Sequence, residues 1–580
     1  MKFTQMLKTY AGEYKKYLIL CPVAMIGEVA METTIHMMTA NLINQAIPHS
    51  QETGEISQVL LYGGLMVLMA LASMAFGMLG SYLSSKGAFG FGRNLRKGLF
   101  ERVQHFSFKN IDRFSTASLV TRLTTDVNQV QNTVMMTVRM AVRSPIMFIM
   151  AMTMALRLQR ALVTILAVAI PLLAVAVVII MNLAFPRFQI MMKKYDALNS
   201  SVQENLIAIR VVKAFVRAGH EKEKFASSAD DLTATQRAAE KIVLWNGPLM
   251  TILMNGCIVA VLWLGGQRIV TGSMEYGDLS AFITYITQIL MSLLMLSFLF
   301  ISFVLSRASV SRISEVLEEQ PEIASPADAE KTVADGSIVF DHVNFSYQGD
   351  PNRLVLTDIN LRIASGETVG VIGGTGSAKT TLVSLIPRLY DVTSGQLLVG
   401  GRDVREYDIH ALRDQVAMVL QKNVLFSGTI QENLRWGDEN ATDEEIVAAC
   451  RAAAADEFIR SFPDGYETDL GQGGVNVSGG QKQRLCIARA LLKKPKIMIL
   501  DDATSAVDTA TDARIRQALR TQMPDTTKII IAQRIASVME ADHILVLDNG
   551  KIADFGTHEE LMERSDIYRE VYTSQQKGVA

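Results

Sequence analysis

Six long apolar runs in the first half of the chain place the strongest constraint on its fold. A transmembrane helix needs roughly 20 predominantly apolar residues to cross the hydrocarbon core of a bilayer. Runs of this kind lie near residues 17–47, 58–85, 135–157, 161–186, 243–269 and 279–304. We therefore predict that residues 1–315 form an all-α membrane domain with six spans, which excludes a fully soluble protein.

The basic residues between the runs predict which side of the membrane each loop faces. The loop at 48–57 contains Glu52 and Glu55 but neither Lys nor Arg, whereas the segments after the second and fourth runs contain several of each. Because cytoplasmic loops carry an excess of Lys and Arg, we expect both termini to be cytoplasmic. The absence of a recognisable organelle-targeting segment favours a bacterial plasma membrane.

Two polar segments between the runs have a helical pattern. They cover residues 86–135 and 187–242. Half of a segment of about 50 residues, as a helix rising 1.5 Å per residue, extends roughly 35–40 Å. We predict two long helical hairpins that project into the cytoplasm.

Three polar side chains lie on one face of the first predicted span. Glu28, Glu32 and His36 follow each other at intervals of four residues. Ionisable groups inside a membrane usually face a bundle interior or a water-filled cavity. One interpretation is a cavity that attracts a cationic or polar substrate. The alternative is hydrogen bonding between helices near the edge of the membrane.

Overall charge and cysteine spacing exclude other classes of function. The net charge of -2 argues against a nucleic-acid partner, because nucleic-acid-binding domains usually carry a basic patch. The four cysteines are Cys21, Cys257, Cys450 and Cys486. Because none belongs to a CxxC pair, we interpret them as buried apolar side chains and not as metal ligands or disulfides.

The second half of the chain changes to a soluble pattern. Residues 316–336 are charged, contain two prolines and form a predicted linker. From 337 to 580, short β-rich runs alternate with helices, as in an α/β domain.

A glycine-rich loop follows the apolar run TVGVIG. The pattern GxxxxGK[ST] of phosphate-binding loops is matched by Gly373, Lys379 and Thr380, which predicts an ATP site. Lys379 would reach the β and γ phosphates, and the Thr380 hydroxyl would ligate Mg²⁺. The whole predicted loop comprises Gly373, Gly374, Thr375, Gly376, Ser377, Ala378, Lys379, Thr380 and Thr381.

Ala378 replaces the last glycine of this pattern. A Cβ atom there would crowd the phosphates, or cost about 1 kcal/mol if the residue adopts a positive φ.

An acidic residue ends another apolar run, about 120 residues after the glycine-rich loop. The apolar run IMIL at 497–500 ends in Asp501, which predicts a buried strand that delivers a carboxylate to its carboxyl end. In P-loop proteins this carboxylate holds the Mg²⁺ shell.

Between these elements lies VSGGQKQR at 477–484, which closely resembles the signature of the ABC ATPases. Tyr347 is similar to the family's aromatic residue that stacks on adenine. Gln421 is similar to the family's glutamine that reaches the Mg²⁺ and the attacking water. The segment SAVD at 505–508, which ends in Asp508, resembles the family's D-loop. In the membrane half, SLVTRLTTDV at 118–127 and ENLIAIRVVKAF at 204–215 resemble the cytoplasmic hairpins of six-span exporters. The resemblance covers nearly the whole chain.

The resemblance implies a transporter assembled from two such halves. Each ATP would lie between the phosphate loop of one half and the signature of the other. In this chain the signature residues are Ser478, Gly479, Gly480 and Gln481.

Two further positions depart from the family. The family has a Glu directly after the acidic residue that ends the strand, and this chain has Asp502 there. The family has a His before the arginine of a later strand, and in the segment KIIIAQR of this chain that position is Gln533. The shorter arm of Asp withdraws the carboxylate by about 1.5 Å, and a misplacement near 1 Å can cost about a hundredfold in rate. An amide can hydrogen-bond a phosphate but supplies neither a proton nor a positive charge.

Ala378, Asp502 and Gln533 all weaken the same site, whereas the signature is intact. The expectation is a heterodimer with a related chain that carries the catalytic Glu and His. The chain in this respect resembles the degenerate-site subunit of heterodimeric bacterial multidrug exporters. The resemblance implies transport of hydrophobic or amphipathic small molecules taken up from the cytoplasm or the membrane lipid.

Four alternatives stay open. The chain could form a homodimer in which Asp502 hydrolyses ATP, or export a lipid, peptide or siderophore. It could be an ATP-gated channel, although no charge-lined pore is recognisable. It could also be an importer, although importers usually carry the two domain types on separate chains.

Overall fold

The computed structural model describes residues 3–577 and divides them into two compact units. The first unit comprises the residues up to 104 together with Thr116–Glu319. The second comprises His105–Ser115 and the residues from 320 onward.

The first unit is entirely helical. In chain order, the helices up to residue 318, including the short α5 of the second unit, are α1 (Phe3–Tyr10), α2 (Lys15–Asn41), α3 (Ile47–Thr53), α4 (Ser57–Gln104), α5 (Phe108–Phe114), α6 (Thr116–Thr121), α7 (Val127–Leu158), α8 (Val163–Ile207), α9 (Ile209–Ala214), α10 (Ala218–Leu244), α11 (Asn246–Val270) and α12 (Tyr276–Glu318). Within residues 3–577, six helical stretches are long and apolar enough to cross a membrane. The predicted six-span fold is confirmed.

The predicted hairpins are continuations of the membrane-spanning helices. Helix α4 has 48 residues and α8 has 45. At 1.5 Å per residue they are about 72 and 68 Å long, more than twice the thickness of the hydrocarbon core, about 30 Å. Helices α8 and α10 pack along each other, with an ion pair of 2.5 Å between Lys194 and Asp231.

Glycines allow α2 and α4 to approach closely. A Cβ atom added to Gly87 would lie 2.5 Å from Cδ2 of Leu18, and one added to Gly90 would overlap the ring of Tyr14, the residue directly before α2. Small residues at such crossings bring helix backbones together in membranes, where packing drives helix association.

The second unit contains two sheets. Its remaining elements are β1 (Ile338–Phe345), β2 (Leu356–Ile363), β3 (Thr368–Ile372), α13 (Lys379–Ser384), β4 (Ser394–Val399), β5 (Arg402–Asp403), α14 (Ile409–Asp414), β6 (Val416–Val419), α15 (Ile430–Leu434), α16 (Asp443–Ala452), α17 (Asp456–Arg460), α18 (Gly479–Leu492), β7 (Ile497–Asp501), α19 (Thr509–Gln522), β8 (Thr527–Ile531), β9 (His543–Asp548), β10 (Lys551–Gly556), α20 (His558–Arg564) and α21 (Asp566–Lys577).

The strand order positions the functional loops at one edge. The smaller, antiparallel sheet has the order β2-β1-β4-β5, and the larger has the order β10-β9-β3-β8-β7-β6. In the larger sheet β9, β3, β8, β7 and β6 are parallel. Ligands bind outside the carboxyl ends of such strands, which is where the loops after β3, β7 and β8 lie.

Candidate nucleotide-binding site

A cavity of about 540 Å³ lies at the carboxyl ends of β3, β7 and β8. Most of the predicted site residues line it, although they come from distant parts of the sequence. They are Gly373, Gly374, Thr375, Gly376, Ser377, Ala378, Lys379, Thr380, Thr381, Gln421, Asp501, Asp502 and Gln533.

The loop after β3 wraps the N-terminus of α13. Nζ of Lys379 donates hydrogen bonds of 2.8 Å to the carbonyl oxygens of Gly373 and Gly374, so the ammonium group lies across the loop. Burial lowers the pKa of Lys379, and the carboxylates of Asp501 and Asp502 partly oppose that shift. The free N–H groups of a helix N-terminus and a lysine are a suitable environment for phosphate.

Ala378 adopts the left-handed conformation, with φ 72° and ψ 25°. Glycine adopts this conformation without steric cost, whereas a Cβ atom costs roughly 1–2 kcal/mol. The residue directly precedes Lys379, so the cost falls on the turn that positions the lysine.

Thr380 and Asp501 form the part of the cavity that suits Mg²⁺. The Thr380 hydroxyl donates a hydrogen bond of 2.8 Å to Oδ2 of Asp501. Burial raises the pKa of Asp501, and the hydrogen bond from Thr380 opposes that shift. A hydroxyl and a carboxylate are hard oxygen ligands, and Mg²⁺ in phosphate sites takes only one or two carboxylates besides phosphate and water.

Asp502 and Gln533 contact each other directly. Nε2 of Gln533 donates a hydrogen bond of 2.8 Å to Oδ2 of Asp502. Asp502 is 9% exposed and has φ 52°, and its backbone N–H bonds the carbonyl of Ile531 at 3.0 Å. Asp is one of the few residues other than glycine that tolerates this conformation.

Tyr347 lies beside the glycine-rich loop. Its hydroxyl lies 2.9 Å from Oγ1 of Thr381, and its ring meets the rings of Phe345 and Tyr390 edge-on. Tyr347 is 40% exposed, which leaves its side chain accessible to the predicted adenine contact.

Tyr390 connects Tyr347 to the tip of the first hairpin, and the sequence analysis missed it. The Tyr390 hydroxyl donates a hydrogen bond of 2.7 Å to Oδ2 of Asp112 in α5. The ring of Phe108, also in α5, lies 6.2 Å from the Tyr390 ring. Burial and the hydrogen bond to Asp112 raise the pKa of Tyr390, so its hydroxyl stays protonated.

The signature residues do not line this cavity. Ser478 caps α18, and its side chain pairs with Gln481 in a reciprocal capping box. The helix N-terminus lies against the D-loop, because a Cβ atom on Gly480 would lie 2.7 Å from the carbonyl oxygen of Ala506. Ser478 and Gly479 are exposed, which leaves this helix N-terminus open to an anion.

Asp508 caps the next helix. Its carboxylate accepts a hydrogen bond of 3.0 Å from the backbone N–H of Thr511. Hydrogen bonds from Thr511 lower the pKa of Asp508.

The polar residues of the first span lie in the other unit and contact neighbouring helices. Arg143 of α7 donates from Nε to Glu28 at 3.3 Å and from Nη2 to Glu32 at 2.9 Å. Nε2 of Gln288 in α12 lies 3.0 Å from Nε2 of His36. These are interhelical contacts of the kind given above as the alternative. The sequence analysis missed Arg143, and an arginine inside a predicted span was the signal for it.

Comparison with known proteins agrees with this geometry. The family described as "ABC transporter transmembrane region" matches residues 18–314, and the family described as "ABC transporter" matches residues 356–505. The chain belongs to the ABC transporter family. It is an ABC exporter with fused membrane and ATPase units, and therefore an ATP-binding, ATP-hydrolysing membrane transporter.

Relatives match this ABC transporter over more than four-fifths of its length. The uncharacterized ABC transporter ATP-binding protein YfiB of Bacillus subtilis is 38% identical over 567 residues, covering 97% of each chain. The putative multidrug export ATP-binding/permease protein YgaD of the same organism is 35% identical and covers 83% of each chain. A fatty acid ABC transporter ATP-binding/permease protein of Mycobacterium bovis is 34% identical over 82% of this chain and 75% of its own.

A solved structure also matches this ABC transporter. The structure of a bacterial Atm1-family ABC exporter with ATP bound has a TM-score of 0.82 and 25% identity. It covers 97% of this chain and 98% of that chain. The exporter fold of both units is thereby established.

Proposed function

We propose that this chain is the weakly hydrolytic half of a heterodimeric multidrug-type exporter in a bacterial plasma membrane. The observation that carries the proposal is the hydrogen-bonded pair of Asp502 and Gln533 in the cavity. Both residues occupy the positions at which the family has its catalytic Glu and His. The partner would be a related chain that carries that Glu and His.

Three features at this site weaken hydrolysis without removing ATP binding. The Asp502 carboxylate is shorter than Glu and bonded to Gln533, so it is held back from a water at the terminal phosphate. The Gln533 amide would contact the terminal phosphate only as a neutral donor. Ala378 keeps the loop usable at a small cost, because its strain is only about 1–2 kcal/mol.

In this proposal, ATP binds with its adenine on Tyr347 and its phosphates at Lys379 and the N-terminus of α13. Thr380, Asp501 and Gln421 would hold Mg²⁺, which neutralises charge on the phosphates. Ser478, Gly479, Gly480 and Gln481 would close on the ATP held by the partner, with Asp508 nearby. Hydrolysis at that second site would reset the transporter, and the site in this chain would mainly hold ATP.

Exposed apolar surfaces support a dimer. At the tip of the second hairpin, Phe215 is 74% and Val216 is 86% exposed. In the ATPase unit, a separate groove of about 340 Å³ includes Phe426 and Trp436, the latter 65% exposed. Exposed apolar patches of this kind mark interaction sites, and a second chain would cover both.

The cycle begins with substrate between the two membrane units, reached from the cytoplasm or the inner leaflet. Two ATP molecules would bring the ATPase units together, a closure around ligand, and the hairpins would carry that motion to the spans. The first-span residues Glu28, Glu32 and His36 stay candidates for the cavity wall, with Arg143 leaving them one net negative charge.

The substrate is tested by transport in inside-out vesicles that contain the purified pair. We expect ATP-dependent uptake of a hydrophobic dye such as Hoechst 33342, lost with Lys379→Ala in this chain together with the matching change in the partner. The fatty acid transporter among the relatives favours a second candidate, export of an acyl lipid. Uptake of a fluorescent fatty acid without dye uptake would replace the multidrug assignment with the lipid one.

A further inference from the structure

The side-chain amide of Gln575 forms hydrogen bonds with the backbone on both sides of Arg534, the residue that follows Gln533. Its Nε2 donates a hydrogen bond of 2.7 Å to the carbonyl oxygen of Gln533, and its Oε1 accepts one of 2.9 Å from the N–H of Ile535. Both polar atoms of one amide are thus used on the backbone on either side of Arg534. Nothing in the phosphate loop, signature or D-loop pattern predicts this contact.

Helix α21, which carries Gln575, packs against the carboxyl ends of β3 and β8. Tyr568 of α21 is fully buried, and its hydroxyl lies 2.7 Å from Nδ1 of His558. It packs in one apolar cluster with Ile372, the last residue of β3, and Ala532, the residue before Gln533. Val571, one helical turn before Gln575, lines the nucleotide cavity itself.

These contacts connect the helix to the degenerate pair in a short series of hydrogen bonds. Gln575 holds the backbone of Gln533, and the side chain of Gln533 holds the carboxylate of Asp502. A displacement of the Gln533 backbone by about 1 Å would break a hydrogen bond of this length. The position of α21 therefore decides where the Gln533 amide lies.

We infer that Gln575 is a positioning residue of the nucleotide site, which sets how well Gln533 distinguishes ATP from ADP. The inference rests on the proposed contact between Gln533 and the terminal phosphate. It makes α21 part of the nucleotide-sensing machinery, in addition to the phosphate loop, signature and D-loop named above.

The test uses the full-length chain in its purified complex. Photolabelling with 8-azido-ATP on ice, in Mg²⁺, marks this chain through the adenine side of its own site, and gel electrophoresis separates it from a partner of different mass. Competition by ATP and by ADP then gives the ratio of the two affinities. Gln575→Met keeps the length and helix propensity of the side chain but removes both hydrogen bonds.

We expect Gln575→Met to lower the preference for ATP over ADP by about three- to tenfold, the effect of losing about one hydrogen bond to the phosphate. Gln533→Ala should lower it by as much, and the double variant should lose no more than either single one. Gln576→Met, at the exposed neighbouring position, should leave the ratio unchanged. If the Gln575→Met chain does not fold, Gln575→Glu replaces it, since it keeps the acceptor for Ile535 and loses the donor to Gln533.

An unchanged ratio in the Gln575 variant overturns the inference. Additive losses in the double variant also overturn it, because they would show that Gln575 acts independently of Gln533. If Gln533→Ala leaves the ratio of ATP to ADP affinity unchanged, the proposed contact of Gln533 with the terminal phosphate is refuted. If Gln575→Met nevertheless changes that ratio, Gln575 does not act through Gln533, and the inference is overturned as well.

Discussion

The Gln533 amide donates its hydrogen bond directly to the Asp502 carboxylate, with 2.8 Å between Nε2 and Oδ2. The sequence resemblance implies a different family residue at each of these two positions, and the two side chains meet in one contact. A carboxylate that accepts a hydrogen bond from a fixed amide is less free to turn toward an attacking water. The pair therefore explains in one arrangement why we expect slow hydrolysis at this site.

Lengthening the carboxylate should activate the site. In a pair whose partner has its catalytic Glu replaced by Gln, we expect Asp502→Glu in this chain to raise ATPase activity about tenfold or more, because the arm gains about 1.5 Å. Adding Gln533→His should raise it further. Asp502→Asn serves as the control, and no rise with Asp502→Glu would count against the proposed cause of slow hydrolysis.

Restoring glycine in the phosphate loop should relieve backbone strain. Ala378 has φ 72°, so Ala378→Gly removes about 1–2 kcal/mol of strain from the folded state. Glycine also gives the unfolded chain more conformational entropy, which lowers the free energy of unfolding by about 0.4–1 kcal/mol. We expect a slightly higher apparent Tm and tighter ATP competition in photolabelling. Ala510→Gly, in the first turn of α19, should lower Tm instead.

Tyr390 offers a test of communication between the hairpin tip and the nucleotide site. Tyr390→Phe removes the hydrogen bond to Asp112 but keeps the ring beside Tyr347. We expect ATP affinity to stay within about twofold and the stimulation of ATPase by substrate to fall severalfold.

The control for that experiment is Tyr407→Phe. Tyr407 is buried, and its hydroxyl donates a hydrogen bond of 2.9 Å to the backbone carbonyl of Val399, within the smaller sheet. Both variants should lose similar stability, about 0.5–1.5 kcal/mol. Equal loss of stimulation in the two would mean that the Asp112 contact carries no signal.

Much of the fold and of the nucleotide site was predictable because short linear patterns encode them. The spans follow from apolar runs, and Lys379 and Asp501 follow from local motifs. Gln575 and Tyr390 were not predictable, because their partners lie 42 and 278 residues away and neither belongs to a pattern. The cost of Ala378 depended on a φ angle that the sequence does not give.

The acidic residues of the first span illustrate the same limit. Their spacing predicted one helix face, but not the Arg143 side chain, 115 residues from Glu28, that contacts two of them.

Replacing Arg143 should destabilise the membrane unit. We expect Arg143→Met to lower the free energy of unfolding by about 1–3 kcal/mol. This loss is smaller than that for a fully buried ion pair, because Arg143 and Glu32 are partly exposed. The apparent Tm in detergent measures this.

Neutralising the carboxylates should reverse that loss. Combining Arg143→Met with Glu28→Gln and Glu32→Gln removes the uncompensated charge, so most of the Tm decrease should disappear. A decrease that persists in the triple variant would show that Arg143 stabilises the helices by packing and not by charge.

The central claim, an asymmetric pair, is tested most directly by native purification of the tagged chain from its own host. Mass spectrometry should identify one related ABC half in equal amount, with Glu and His at the positions matching Asp502 and Gln533. A self-dimer with brisk ATPase activity that Asp502→Asn abolishes would contradict the claim, and would make Asp502 a working catalytic carboxylate.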